Sequence, residues 1–195
     1  MLQRLTFDNI TLSGGAGSGK SLLRENLMFL LSPFGFRFIS TGQIVRDLTH
    51  DNIMPSAEKV SSEFDRKQED KVFEILAHEQ FWVIDGWLAG WIARDLERTL
   101  RVLVINSDDN LRAKRIASRD KVSLNEAFSM MKEREEKNFA KWEKVYGAKD
   151  FFDPNYYHLV VDTAKYGPFA TVGQVLDKFG VHPRDYQGQE ITEKQ

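Results

Sequence analysis

The chain of 195 residues contains no cysteine. That absence removes disulfides, thiolate nucleophiles and cysteine-based zinc sites together. Four histidines, His50, His78, His158 and His182, are scattered and give no metal-ligand spacing. No apolar run approaches the roughly 20 residues of a membrane-spanning helix, and the first residues lack a secretory apolar segment. A cytoplasmic location and no membrane partner are therefore expected. Excess charge of one sign is also missing: the formal net charge is -2, which argues against a general nucleic-acid binder. With 42% hydrophobic and 29% charged residues, the composition is that of an ordinary globular chain, long enough for one cored domain and short for two.

The apolar residues alternate between two periods. Leu5–Leu12 has the pattern of a strand that opens into Ser13-Gly14-Gly15. From Lys20, Leu22, Leu23, Leu27, Leu30 and Leu31 fall at helical spacing, and Pro33 and Gly35 end the helix near Ser32. Phe36–Ile39 is a short strand, followed by a helix over about Gln43–His50 and a loop over Asp51–Ser56. Val60, Phe64, Val72, Ile75 and Leu76 form one stripe through a charged segment, which predicts a helix. Phe81–Ile84 is a strand stopped by Asp85-Gly86. Leu100–Ile105, apolar at five of six positions, predicts a strand covered on both faces. A helix over Asp108–Arg119 precedes the longest helical segment, Leu124–Tyr146, continuous or broken, with Gly147 as its stop. A last strand at His158–Val161 and a helix marked by Val172, Val175, Leu176 and Phe179 lead to a polar tail. Strands alternating with helices predict an α/β domain with a mainly parallel sheet.

The segment Gly14-Gly15-Ala16-Gly17-Ser18-Gly19-Lys20-Ser21 satisfies G-x-x-x-x-G-K-[ST] at every fixed position, between a predicted strand and a predicted helix. In such a phosphate-binding P-loop the glycines let backbone N–H groups turn inward onto a triphosphate. Lys20 supplies a mobile cation for the β and γ oxygens, and the Ser21 hydroxyl ligates Mg2+. The helix start adds unsatisfied amides and the positive end of its dipole. ATP and Mg2+ are the expected cofactors. A dinucleotide fingerprint fails at Ala16 and Leu22.

Three further segments accompany the loop: Ile39-Ser40-Thr41-Gly42 with Arg46; Ile84-Asp85-Gly86-Trp87-Leu88-Ala89-Gly90-Trp91; and Arg134-Glu135-Glu136 through Tyr146-Gly147 to Leu159-Val160-Val161-Asp162-Thr163. This ordered set resembles the nucleoside monophosphate kinases, and among them the short cytidylate kinases typical of archaea, over about residues 10–179. The resemblance implies a P-loop kinase fold with a five-stranded parallel sheet. It also implies one domain over 1–181, an acceptor-binding region at about 41–80, a lid at about 115–147 and a tail at 182–195. It implies transfer of the γ-phosphate of ATP to a nucleoside monophosphate, CMP or dCMP, by a monomer or weak dimer.

By the same resemblance Thr41, Gly42, Arg46, Asp65, Gly86 and Trp87 line the acceptor site, with Arg46 holding its phosphate. Asp85 organises magnesium and its waters, and Arg115 and Arg119 open the lid. Two basic stripes at helical spacing, Arg112/Arg115/Arg119 and Arg134/Lys137/Lys141, offer cations for charge developing in transfer. Arg115, Arg119 and Lys141 are the candidates that act with Lys20. The sequence departs from the family at two places. Trp87 stands where an arginine is common, with stacking on a base or packing under the lid as its alternatives. Lys141, within Ala140-Lys141-Trp142, replaces an arginine and loses its planar fork. These departures leave open a different phosphorylated metabolite or nucleoside as acceptor, or a nucleotide-binding partner protein without transfer.

Overall fold

Five strands align in one direction in a computed structural model that describes residues 5–44 and 61–181. The expectations for Arg46, for the helix beyond residue 44, for residues 51–60 and for the tail at 182–195 lie outside the described residues. The strands are β1 (Asn9–Ser13), β2 (Arg37–Ser40), β3 (Trp82–Asp85), β4 (Thr99–Ile105) and β5 (Leu159–Asp162), in the spatial order β2-β3-β1-β4-β5 with every pairing parallel. The helices are α1 (Lys20–Leu31), α2 (Ser62–His78), the short α3 (Ala89–Ile92), α4 (Asp109–Asp120), α5 (Leu124–Tyr146) and α6 (Pro168–Phe179).

Local chemistry explains the element ends. The Ser61 side chain caps α2 by accepting from the Phe64 N–H, and Asp108 caps α4 by accepting from Asn110 and Leu111. Ser123 accepts from the N–H of Glu126, whose carboxylate lies in the first turn of α5. Helix α5 then runs unbroken for 23 residues until Gly147 turns left-handed at φ 67°. The first strand starts later than its composition suggests. Leu5–Asp8 has no strand pairing, and at Asp8 the backbone N–H donates to the Arg98 carbonyl while the carboxylate binds the Arg98 guanidinium.

Helices α1 and α6 cover one sheet face. Leu23, Leu27, Leu30 and Leu31 of the former and Val172, Val175, Leu176 and Phe179 of the latter pack on Ile10, Leu12, Leu100, Val102 and Val161. Leu27 and Leu31 are completely buried, each contributing roughly 2 kcal/mol of hydrophobic stabilisation. On the other face Val72 and Leu76 of α2 meet Ile84, Ala89 and Ala93. Asn9 joins this layer to the sheet: its side chain donates to the Leu76 and Glu79 carbonyls and accepts from the Trp82 N–H. Register sets Ser40 beside Asp85, Leu12 beside Asp85, Ser13 beside Leu103 and Ile105 beside Asp162. All five carboxyl ends therefore open on one edge, where parallel α/β sheets hold their ligands.

Candidate active site

The glycine-rich segment leaves β1 at that edge. Gly14 sits at φ 144°, so close to the Val104 carbonyl that a Cβ would overlap it, and no other residue type is accommodated there. Helix α1 follows with no side-chain cap and no acidic residue in its first turn, which leaves its leading amides available to an anion.

Neighbouring strand ends brace the loop from behind. The Thr163 hydroxyl donates to the Ser18 carbonyl (2.7 Å) and accepts from Asn106 Nδ2 (3.0 Å) and Arg115 Nη1 (2.9 Å). Arg115 Nη1 also reaches the Gly17 carbonyl at 3.1 Å. Arg112 Nε donates to the Ala16 carbonyl at 3.0 Å, and its guanidinium pairs with Asp109 and with Glu135 of α5. Arg112 and Arg115 of α4 and Thr163, just beyond β5, thus hold the carbonyls of Ala16, Gly17 and Ser18.

Lys20 folds back across the loop, donating to the Gly14 carbonyl at 2.5 Å and the Gly15 carbonyl at 2.7 Å, with Ser18 Oγ at 3.4 Å. Burial pushes its amine down to about 7; Asp85 opposes that shift, while Arg134, Arg112 and Arg119 add to it. Arg119 is held by a bidentate pair with Asp120, at 2.6 and 2.7 Å. The Arg134 guanidinium lies 5.2 Å from the centre of the Trp87 ring.

Asp85 ends β3 almost completely buried. It pairs with Arg24 Nε of α1 at 3.1 Å and accepts from the Ser40 hydroxyl at 3.3 Å. At Gly86 the chain passes so close to Thr41 that a Cβ would overlap its hydroxyl, which brings those two residues together. Gln68 of α2 donates to the Thr41 carbonyl at 3.2 Å. Asp65 and Lys141 form an ion pair at 2.5 Å between α2 and α5, beside a contact from the Tyr146 hydroxyl to Glu69. Trp87 lies among Phe139, Trp142 and Phe152.

Among the described residues no group of three or more histidine, aspartate or glutamate side chains is placed to hold a metal. A magnesium ion that arrives on phosphates needs only one or two protein oxygens. The exposed Ser21 hydroxyl and the Asp85 carboxylate are hard oxygen donors of the required kind, so the donor set fits.

A model of the cytidylate kinase-like family matches residues 37–165. The chain belongs to this family. Membership extends to the glycine-rich loop, because the cytidylate kinase of Thermococcus kodakarensis is 34% identical over 196 residues, covering 95% of both chains. Solved structures with the same fold include an uncharacterized protein from Eubacterium ventriosum, at TM-score 0.67 and 16% identity over 88% of this chain and 98% of that one. A gluconokinase from Sinorhizobium meliloti follows at TM-score 0.58 and 16% identity, over 90% and 93%. This cytidylate kinase-like protein is an ATP-dependent phosphotransferase of the nucleoside monophosphate kinase type.

Lys20, the loop residues, Thr41, Gly86 and Asp85 come together on one edge of the sheet, as their sequence positions suggest. Arg24, Asn106, Glu135 and Thr163, which support the loop or Asp85, are not among the residues expected from the sequence. Their spacing carries no motif, although Glu135 and Thr163 lie within the third segment that resembles the family. Of the second basic stripe, Lys141 pairs with Asp65, and the Arg134 guanidinium adds to the downward shift of the Lys20 amine.

Proposed function

We propose that the protein transfers the γ-phosphate of ATP to CMP or dCMP. The observation that carries this reading is the phosphate loop at the carboxyl edge of the sheet, with Lys20 folded across it and Asp85 buried at the end of the neighbouring strand β3. It is supported by the 34% identity to a cytidylate kinase over nearly the whole chain.

In this reading the loop amides and Lys20 hold the β- and γ-phosphates, and the acceptor lies on the β2–β3 side, over Thr41, Gly86 and the Asp65 end of α2, with Arg46 as a phosphate ligand. The acceptor phosphate is already anionic, so one of its oxygens attacks the γ-phosphorus without a dedicated protein base. That oxygen–phosphorus bond forms as the bond from the γ-phosphorus to the β–γ bridging oxygen breaks, and ADP leaves. Ser21 and Asp85 would hold the magnesium ion, which when bound neutralises charge on the phosphates. Arg119 and Arg134 take up the charge spread over the oxygens in flight. Residues 115–147 act as the lid that keeps water from the γ-phosphate.

A second reading, a small-molecule acceptor bearing an alcohol, is favoured by Trp87, which sets an aromatic ring where a guanidinium is common in the family. Initial rates with CMP, dCMP, UMP, AMP and a panel of sugar and polyol acceptors separate the two. Saturable transfer to CMP or dCMP is expected. Mg-ATP binding with no transfer to any monophosphate overturns the proposal.

A further inference from the structure

Trp87 is the departure from the family pattern that lies nearest the phosphate loop, and its surroundings are unusual for an acceptor-site side chain. The indole is near-parallel to Phe152, with centroids 6.2 Å apart, and edge-on to Trp142 at 5.5 Å and Phe139 at 6.4 Å. These rings continue into a buried aromatic cluster around Phe151, which is fully enclosed. The indole also packs with Ala16 of the loop and Met131 of α5. Its position is therefore set by packing on several sides, while the ring itself stays only partly buried.

Two cations face it. Arg134 Cζ is 5.2 Å from the ring centre and Lys20 Nζ is 6.0 Å away, both within the range over which an indole quadrupole attracts positive charge. The two cations repel one another, as the effect of Arg134 on Lys20 shows. The electron-rich indole face offsets that repulsion. A carboxylate at this position would bring a negative charge to compete with phosphate for Arg134, and an arginine would repel it; an indole attracts the guanidinium without adding a charge of its own. Glu135, the next residue on α5, pairs with Arg112 over Gly15 and docks this turn of the helix on the loop.

We propose that Trp87 is a positioning residue: its ring holds the Arg134 guanidinium beside Lys20 at the γ-phosphate end of the phosphate loop, between donor and acceptor sides. The inference rests on the phosphotransfer reading only for its donor half, and it assigns position 87 to the transferring phosphoryl group instead of the acceptor base.

The test needs no acceptor. Calorimetric affinities of the full chain for Mg-ADP and for Mg-AMP-PNP, an unreactive ATP analogue, isolate what the γ-phosphate contributes. Trp87→Leu should weaken AMP-PNP roughly 3- to 30-fold, the range of a partly desolvated cation–π contact, while changing ADP less than about twofold. In an Arg134→Ala background the same substitution should have little further effect, because the group it positions is gone and only the longer 6.0 Å contact with Lys20 remains. If Trp87→Leu does not fold, the series Trp, Tyr, Phe keeps an aromatic ring and weakens its quadrupole. The AMP-PNP to ADP affinity ratio should then fall along the series only when Arg134 is present. Equal losses for both nucleotides, equal losses with and without Arg134, or a ratio unchanged along the series overturns the inference. A protein that shows the coupling yet phosphorylates no monophosphate loses its acceptor assignment and keeps this one.

Discussion

Burial, with three arginines adding to it, makes the Lys20 amine hold its proton weakly even though it donates to two loop carbonyls. Its ordinary value is 10.5 and burial with its neighbours brings it to about 7. Between those values the unfolded chain binds more protons than the folded one, so this group makes stability rise with pH across that window. A bound triphosphate reverses the balance by favouring the ammonium. Mg-ATP binding at about pH 8 should thus take up about one proton per site, falling towards none by about pH 6. Titration calorimetry in buffers of different ionisation enthalpy measures this uptake. Lys20→Met should abolish it and, by removing a fixed positive charge from the reacting phosphates, lower the transfer rate on the order of 100-fold.

Between elements, the contact of α2 with α5 is polar where much of the remaining packing is apolar. Lys141 meets Asp65, the Tyr146 hydroxyl meets Glu69, and Arg66 donates to the Val145 carbonyl at 3.3 Å. Burial, with Asp65 and Asp70 nearby, pushes the Glu69 carboxyl up to about 8, so it stays protonated at neutral pH. The folded chain then binds the extra proton from about pH 4.5, the ordinary value, up to about 8, and stability falls as pH rises through that window. Glu69→Gln keeps the shape and removes the titration. It should flatten that fall and gain roughly 1–2 kcal/mol at about pH 8, read from urea denaturation at a series of pH values. Such a contact was hard to foresee, because Asp65, Glu69 and Lys141 sit in charged helical stripes that resemble solvated surface. Helix α3 escaped for a different reason: four residues with a glycine among them give too little periodicity to register. The end of α5 was legible, since a glycine stop is a chemical signal that tertiary packing does not override.

Across the whole molecule, the strand alternation and the glycine-rich loop foretold the parallel sheet and the edge at which it opens. Both follow from local pattern, a continuously apolar run at Leu100–Ile105 and a motif at a strand–helix junction. The cations around Lys20 were harder to read because they come from segments far apart in sequence, Arg112 and Arg119 on α4 and Arg134 on α5, and converge only through packing. Because these groups belong to separate elements, an occupied donor site should stabilise the chain globally. Mg-ATP at about 100 times its dissociation constant should add about 2.7 kcal/mol and raise the melting temperature by roughly 5–10 °C, an effect that Lys20→Ala should largely remove. Scanning calorimetry with and without Mg-ATP checks it.

The opposite rim of the sheet has no share in this chemistry. There Arg98 clasps Asp8, the Phe81 N–H donates to the Asp8 carbonyl, and the turn at residues 93–98 closes on itself. Every reacting group stands a full strand length away. That end of the protein is accordingly a handle: a peptide tag spliced in near Glu97, or a single cysteine placed there in a chain that has none, would tether or label the enzyme while leaving turnover unchanged.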